Sequence, residues 1–140
     1  MRYSILAGRI LFAGIFIMAG LSHVRGEGVE YAVAAGVPLA KLAVPLSGVL
    51  ALAGGLSIAL GYHAKLGAAA LALFLVPVTL SMHAFWSVSD PMMAQLQQVM
   101  FFKNVSLLGG ALTFLYFGAG ELSLDARRAL PAHKLATAAV

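Results

Sequence analysis

Four long apolar stretches constrain this chain more than any other feature of its sequence. They cover residues 5–24, 42–61, 66–86 and 99–117. A helix needs about 20 apolar residues to cross a hydrocarbon core of about 30 Å, and each stretch meets that length. The pattern therefore predicts an all-α integral membrane protein in which four helices form a bundle.

The composition supports a membrane protein and excludes thiol chemistry. Of the 140 residues, 61% are hydrophobic and 10% are charged, with a mean hydropathy of +0.95, whereas a soluble domain is about half apolar and about a quarter charged. The chain has 0 cysteines, which excludes disulfides and thiolate metal sites. Its net charge of +4 comes from basic residues scattered at the edges of apolar runs, which indicates membrane topology rather than nucleic-acid binding.

The first apolar stretch resembles a signal peptide because Arg2 precedes it. Arg9 interrupts the stretch, however, and no convincing small-residue cleavage site follows, so we interpret it as a retained helix. Arg9 itself is expected to extend along the helix and place its charge at the cytoplasmic surface.

The connections between the stretches differ in length. The first connection has room for one or two turns of interfacial helix at residues 31–35, whereas residues 62–65 leave only a tight link between antiparallel neighbours. A polar loop is expected over residues 87–98. Residues 1–118 are thus predicted to form the four-helix domain, and residues 119–140 a polar, partly disordered cytoplasmic tail.

The charges predict an up-down-up-down bundle with both termini in the cytoplasm. Four spans place the two termini on one side of the membrane. That side carries Arg2, Lys65, Arg127, Arg128 and Lys134, and the other carries Arg25 and Lys41 beside Glu27 and Glu30. Basic residues favour the cytoplasmic side.

Small residues predict where the helices approach each other. Ser47, Ala51, Gly55 and Ala59 recur at four-residue spacing and form one ridge. Further close contacts are expected at Gly14, Ala19 and Gly20 of the first helix and at Gly109 and Gly110 of the fourth.

Polar residues at the predicted outer end of the bundle are the candidates for function. A lysine inside an apolar segment costs roughly 2.5 to 3.5 kcal/mol at the bilayer centre, so Lys103 needs an offsetting partner. The candidate catalytic residues are His83, Lys103 and His23. The candidate ligand-binding residues are Asn104, Gln97, Phe85, Trp86 and Phe101, the aromatic members packing on a ring. The alternative is an ordinary interface, with belt aromatics and a lysine that extends to the headgroups.

No metal site is predicted from the histidines. His23 and His83 are two potential imidazole ligands, but beyond Glu27, Glu30 and Asp90 no third inward ligand is evident. The sequence also lacks a phosphate loop, a nucleophile elbow and a dinucleotide fingerprint.

The order of several segments resembles the DoxX family of small bacterial four-helix membrane proteins. The segments are GRILFAGIFIMAGLSHV, AAGVP, LALAGGLSIALGYHAKLGA, MHAFW and QQVMFFKNVSLLGGAL, which together cover roughly residues 5–115. The resemblance carries most weight at Lys103 and Asn104 and less at His23 and His83. It departs from the family pattern at Ala51, where many relatives have a glutamate, which argues against a proton relay through that position.

The resemblance implies a multi-pass protein of the bacterial inner membrane that is a subunit of a redox system and binds a quinone-like ligand near the outer face. Whether it is an enzyme stays open, and if so it would be a quinone-linked oxidoreductase subunit. The sequence has no metal or flavin signature, so electrons would come from another protein subunit or a soluble reductant. The alternatives are a non-catalytic anchor or assembly subunit and a small lipophilic-molecule transporter. Expected partners are the bilayer, the quinone-like molecule and another subunit or a second copy, but no nucleic acid.

Overall fold

The structure, a computed structural model, describes residues 2–129, which form helices without any strand. The helices are α1 (Arg2–Val24), α2 (Val29–Ala34), α3 (Ala40–Leu60), α4 (Ala64–Met82), α5 (Pro91–Phe117) and α6 (Leu124–Arg128), with a 3₁₀ turn at Phe85–Ser87. Within these residues, four helices are long and apolar enough to cross a membrane, namely α1, α3, α4 and α5. The predicted all-helical membrane protein with four spanning helices is confirmed.

The start of the last span differs from the sequence prediction. The last span begins at Pro91 rather than at residue 99, so most of the expected polar loop is helical. Asp90 starts this helix, since its Oδ1 accepts a hydrogen bond from the Met93 N–H at 2.8 Å and proline follows at the first helical position. Helix α4 ends at Met82, but the 3₁₀ turn that follows extends the third candidate span to Ser87, one residue beyond the predicted end. Apolarity sets which residues lie in the bilayer, whereas capping sets where a helix begins.

Glycines allow α1 and α3 to pack closely. A Cβ placed on Gly20 would lie 2.7 Å from the backbone N of Leu52, and one on Gly48 would lie 2.7 Å from that of Val24. Of the predicted ridge, Ala51 and Gly55 are buried in this contact. The expected close contacts at Gly14 and Gly109 are wrong, because nothing lies within 4 Å of a Cβ placed on either glycine.

The core places α4 between α3 and α5, while α1 packs on α3. Helices α1 and α5 meet through Phe12, whose ring lies 5.1 Å from that of Phe114 and close to Gly110. Toward the other ends of these two helices, a cavity separates them. Helices α1 and α5 are therefore in contact at the level of Phe12 and are separated by the cavity beyond that level.

Arg9 is buried, which corrects the prediction that its charge reaches the membrane surface. Its side chain is 2% exposed, and its guanidinium donates to the carbonyl oxygens of Ala119 at 2.7 Å and Leu122 at 2.8 Å. Both acceptors lie just after α5, where the chain turns back toward α1. Main-chain carbonyls thus satisfy most of a charge that would otherwise be costly to bury.

The segment after α5 is anchored to the link between α3 and α4. The Asp125 carboxylate accepts hydrogen bonds from the N–H groups of His63 at 2.8 Å and Ala64 at 2.9 Å, and so caps α4 from outside that helix. The Asp125 N–H donates to the Gly61 carbonyl at 2.8 Å. The first part of the predicted tail is therefore packed, and the disorder predicted for the last few residues lies outside the described residues.

The electrostatics of Asp125 favour its charged form. Burial raises the pKa of the Asp125 carboxyl, but hydrogen bonds from the Ala64 and His63 N–H groups, with the charges of His63 and Arg128, outweigh that effect. The pKa of Asp125 therefore lies below its usual value.

Candidate functional site

A chain of hydrogen bonds joins α2, α4 and α5 at the end of the bundle opposite Arg9. His83 Nδ1 lies 2.7 Å from Gln97 Oε1, and Gln97 Nε2 donates to the Tyr31 hydroxyl at 2.5 Å. That hydroxyl donates in turn to the Met82 carbonyl at 3.2 Å. Because Oε1 of Gln97 can only accept, His83 carries its proton on Nδ1 in the neutral ring, which leaves Nε2 as an acceptor.

His23, the second histidine at this end of the bundle, is hydrogen-bonded in a similar way. His23 Nδ1 lies 3.2 Å from Ser47 Oγ, and that hydroxyl donates its single proton to the Val44 carbonyl at 2.7 Å. The hydroxyl oxygen therefore accepts from His23 Nδ1–H. Both imidazoles are thus held by one ring nitrogen, and the other nitrogen of each is left for a further partner.

Four of the predicted site residues line one cavity between α1, α4 and α5. His23, His83, Lys103 and Asn104 contribute to a space of about 140 Å³ whose other walls are apolar. We call this space the polar cavity. An engineered cavity of about 150 Å³ holds a benzene molecule, so the polar cavity accommodates a head group or a small ring rather than a whole lipid.

Asn104 is the most informative residue of the polar cavity. The residue is only 6% exposed, and its amide makes no hydrogen bond to any of residues 2–129. The amide is accessible from the cavity, since among these residues only Arg9 Nε is a fully buried side-chain polar atom without a partner. An amide that faces the cavity can donate two hydrogen bonds and accept others.

Lys103 lies beside Asn104 and is more exposed. Among residues 2–129 no carboxylate forms an ion pair with it. Glu27 accepts a hydrogen bond from Ser22 and lies 3.8 Å from Arg25. The ammonium of Lys103 therefore remains available for an acceptor in the cavity.

The predicted aromatic residues lie next to the polar cavity but do not line it. Phe85, Trp86 and Phe101 contact one another, with centroids 5.5 Å apart for Phe85 and Phe101 and 5.7 Å apart for Trp86 and Phe101. Trp86 is 61% exposed. Gln97 supports His83 and also lies outside the cavity wall. A direct role for these four residues in ligand binding stays a prediction.

A second, larger cavity lies beneath α2. It has a volume of about 460 Å³ and mostly apolar walls from α2, α3 and α4. We call it the apolar chamber. It shares His23, Val78 and His83 with the polar cavity, so the two spaces adjoin at the histidines. The sequence prediction does not include Tyr31 and Ser47 among the site residues. Their only signal in the sequence is a side-chain hydroxyl at about the predicted depth of the two histidines.

The described part of the chain holds no group of three or more potential metal-ligating side chains among its histidine, aspartate and glutamate residues. His23 and His83 instead bind Ser47 and Gln97, respectively. Their geometry favours hydrogen bonding to a ligand.

The fold defines a membrane protein with four candidate spanning helices and a cavity lined by polar residues between them. The chain belongs to the SURF4 family, whose model matches residues 1–129. It is similar to the surfeit locus protein 4 homolog of Schizosaccharomyces pombe, with 30% identity over 90% of this chain and 38% of that protein. It is also similar to the inner membrane protein YphA of Escherichia coli, with 28% identity over 88% of this chain and 89% of that protein.

A third relative is the ER-derived vesicles protein ERV29 of Saccharomyces cerevisiae, with 31% identity over 57% of this chain and 26% of that protein. The chain thus spans well under half the length of its two yeast relatives and most of the length of YphA. No solved structure matches it significantly.

The family assignment corrects the DoxX resemblance and the function drawn from it. The SURF4 model covers the whole of the region on which that resemblance was based, so the assignment to DoxX is wrong. The prediction of a redox subunit with quinone-linked activity, which depends on that assignment, is therefore also wrong. Glycine-rich apolar helices recur in unrelated membrane proteins because every bilayer imposes the same length and the same packing.

Proposed function

We propose that this chain is a membrane binding protein that receives the acidic head group of an amphiphilic molecule in the polar cavity. The observation that carries the proposal is the Asn104 amide, which has no hydrogen-bond partner within the described residues and lines the polar cavity beside Lys103. A carboxylate or phosphate accepts hydrogen bonds from both side chains.

The charge balance supports an acidic ligand. An ammonium inside the membrane is unfavourable, by roughly 2.5 to 3.5 kcal/mol at the bilayer centre and less toward the surface, and an anion in the cavity would offset part of that cost for Lys103. His23 and His83 lie in the same wall. A cationic ligand would face an ammonium without a nearby carboxylate among residues 2–129.

The route of access is between α1 and α5. These helices meet at Phe12 and Phe114 but are separated at the level of the polar cavity, where Ile15 and Ala19 face Leu107. A molecule dissolved in the bilayer reaches the cavity sideways along this seam.

We place the cavity in the outer half of a bacterial inner membrane, with an up-down-up-down bundle and cytoplasmic termini. The similarity to YphA over most of both chains supports the membrane. Arg2, Lys65 and Arg127 at the opposite end support the orientation. A further protein subunit or a second copy stays a predicted partner. Only 11% of the apolar part of α5 is buried within this chain, so most of the helix surface is available for such a partner.

Binding of radiolabelled hexadecanoate to the purified protein in phosphatidylcholine nanodiscs tests the proposal. Asn104→Leu and Lys103→Met should each weaken binding about tenfold, which corresponds to about 1.4 kcal/mol. Lys41→Met removes an exposed lysine that lines neither cavity and should leave binding unchanged. Binding that is the same in all four proteins, or no greater than in empty nanodiscs, contradicts the proposal.

A further inference from the structure

The apolar chamber has the size and chemistry of a second ligand compartment. Its volume of about 460 Å³ falls within the range of about 300 to 1,000 Å³ that small-molecule sites occupy. Its polar lining comes from a few side chains, which include His23, Ser47 and His83. The remaining walls include Ala32, Val44 and Met82 and offer a hydrocarbon surface.

The chamber adjoins the polar cavity directly. His23, Val78 and His83 contribute to both walls, so a molecule whose head group is bound by Asn104 has the chamber immediately behind the histidines. The polar cavity alone, at about 140 Å³, holds little more than the head group. The rest of a bound amphiphile must therefore lie either in the bilayer or in the chamber.

Helix α2 closes the chamber on the side away from the core. Tyr31 fixes this helix through its hydrogen bonds with Gln97 and the Met82 carbonyl. Gly28 and Gly36 flank α2 with φ of +87° and +75°, a conformation that glycine adopts without strain. The helix that closes the chamber is thus short, is flanked by two glycines and is hydrogen-bonded to the rest of the bundle through Tyr31.

We infer that the chain binds a single-chain acidic amphiphile whose hydrocarbon tail passes His23 and His83 into the apolar chamber beneath α2. This inference rests on the proposed function, because it takes the head group to be held at Asn104. It adds the class of ligand: one hydrocarbon chain with one anionic head group. A two-chain lipid would leave its second chain without a compartment.

The position of the tail is tested with hexadecanoate that carries a photoreactive diazirine near its methyl end. After illumination in nanodiscs, mass spectrometry of the wild-type protein should find adducts on residues of the chamber wall, Ala32, Val44 and Met82. Unlabelled hexadecanoate in excess should abolish them. Adducts confined to lipid-facing side chains such as Leu42 and Leu46 would overturn the inference.

Two filling variants separate this inference from the proposed function. Ala43→Phe and Ser81→Phe place a ring in the chamber from α3 and α4, respectively, and Ser81 is exposed, so that its substitution is tolerated by the fold. Either variant should lose the chamber adducts. Ala53→Phe, on the exposed side of α3 and outside both cavities, should keep them.

The outcomes of the two experiments are distinguishable. Chamber adducts that persist in both filling variants refute the tail position, whereas binding that still depends on Asn104 then leaves the proposed function intact. Binding that is insensitive to Asn104→Leu refutes the proposed function, and with it the orientation of the amphiphile inferred here.

Discussion

His83 Nδ1 lies 2.7 Å from Gln97 Oε1, so the end of α4 and the second turn of α5 are joined by one hydrogen bond. The same Gln97 side chain donates to Tyr31 on α2. Gln97, which is 9% exposed, thus orients the imidazole of His83 in the polar cavity and also holds α2 over the apolar chamber.

Replacing Gln97 should therefore loosen α2. In Gln97→Leu, the His83 and Tyr31 groups lose their shared partner, which destabilises the protein by about 1 to 3 kcal/mol. Hydrogen exchange of the α2 amides should become faster. Gln98→Leu changes the adjacent, exposed glutamine and should leave exchange unchanged. Equal protection of α2 in Gln97→Leu and the wild type would contradict this role.

Arg9 should hold the segment after α5 against the bundle. Arg9→Leu leaves the Ala119 and Leu122 carbonyls without their donor, at a cost of about 1 to 3 kcal/mol for each buried group that finds no water. Trypsin should then cleave faster after Arg127 and Arg128. The control is Arg2→Leu, since Arg2 is exposed at the start of α1. Unchanged cleavage in Arg9→Leu would show that the segment docks without Arg9.

The docking of α6 should depend on pH through Asp125. Because the pKa of Asp125 is lowered in the folded protein, its charged form stabilises docking fully above the unfolded value of about 3.9. That contribution is lost as the pH falls from about 4 through the lower folded pKa. Exchange of the Asp125 amide, corrected for the intrinsic effect of pH, should rise over that interval. Asp125→Asn should remove the pH dependence, and a wild-type profile in that variant would argue against this carboxylate.

The stability of the contact between α1 and α3 should depend on Gly20 but not on Gly14. A Cβ at Gly20 meets backbone and side-chain atoms of Leu52 at 2.7 Å, whereas one at Gly14 meets nothing within 4 Å. Gly20→Ala should destabilise the protein by about 1 to 3 kcal/mol through overpacking. Gly14→Ala should be neutral or slightly stabilising, since alanine favours helix. Denaturant unfolding in detergent compares the two, and equal midpoints would refute the packing described.

The number and type of the spanning helices could be predicted from sequence because bilayer thickness fixes the length of an apolar segment. The same regularity places His23, His83, Lys103 and Asn104 at a common depth, and the structure brings all four to one cavity. The sequence prediction begins α5 too late, because three glutamines within residues 91–98 and the preceding Asp90 and Pro91 resemble a polar loop, whereas the segment is helical. Helix capping by Asp90, rather than hydropathy, determines that boundary.

Other features depend on contacts that no local pattern encodes. The partners of Arg9 are backbone carbonyls more than a hundred positions away, and every residue type has such a carbonyl. The apolar chamber arises because α2 folds over α3 and α4, so neither Ser47 nor Tyr31 stands out in the sequence as part of a wall. The family, too, was misassigned from segments that bilayer constraints make similar.

The most direct test of the binding site is the infrared spectrum of hexadecanoate with a ¹³C-labelled carboxylate, bound to the protein in nanodiscs. The label separates its carboxylate stretch from those of protein side chains. The wild-type protein should show a shifted band from a carboxylate that accepts hydrogen bonds from Asn104 and Lys103. The band should be lost in Asn104→Leu and kept in Ser106→Leu, which alters an exposed residue on the same helix. A spectrum that is identical in the wild type, Asn104→Leu and empty nanodiscs would contradict the account.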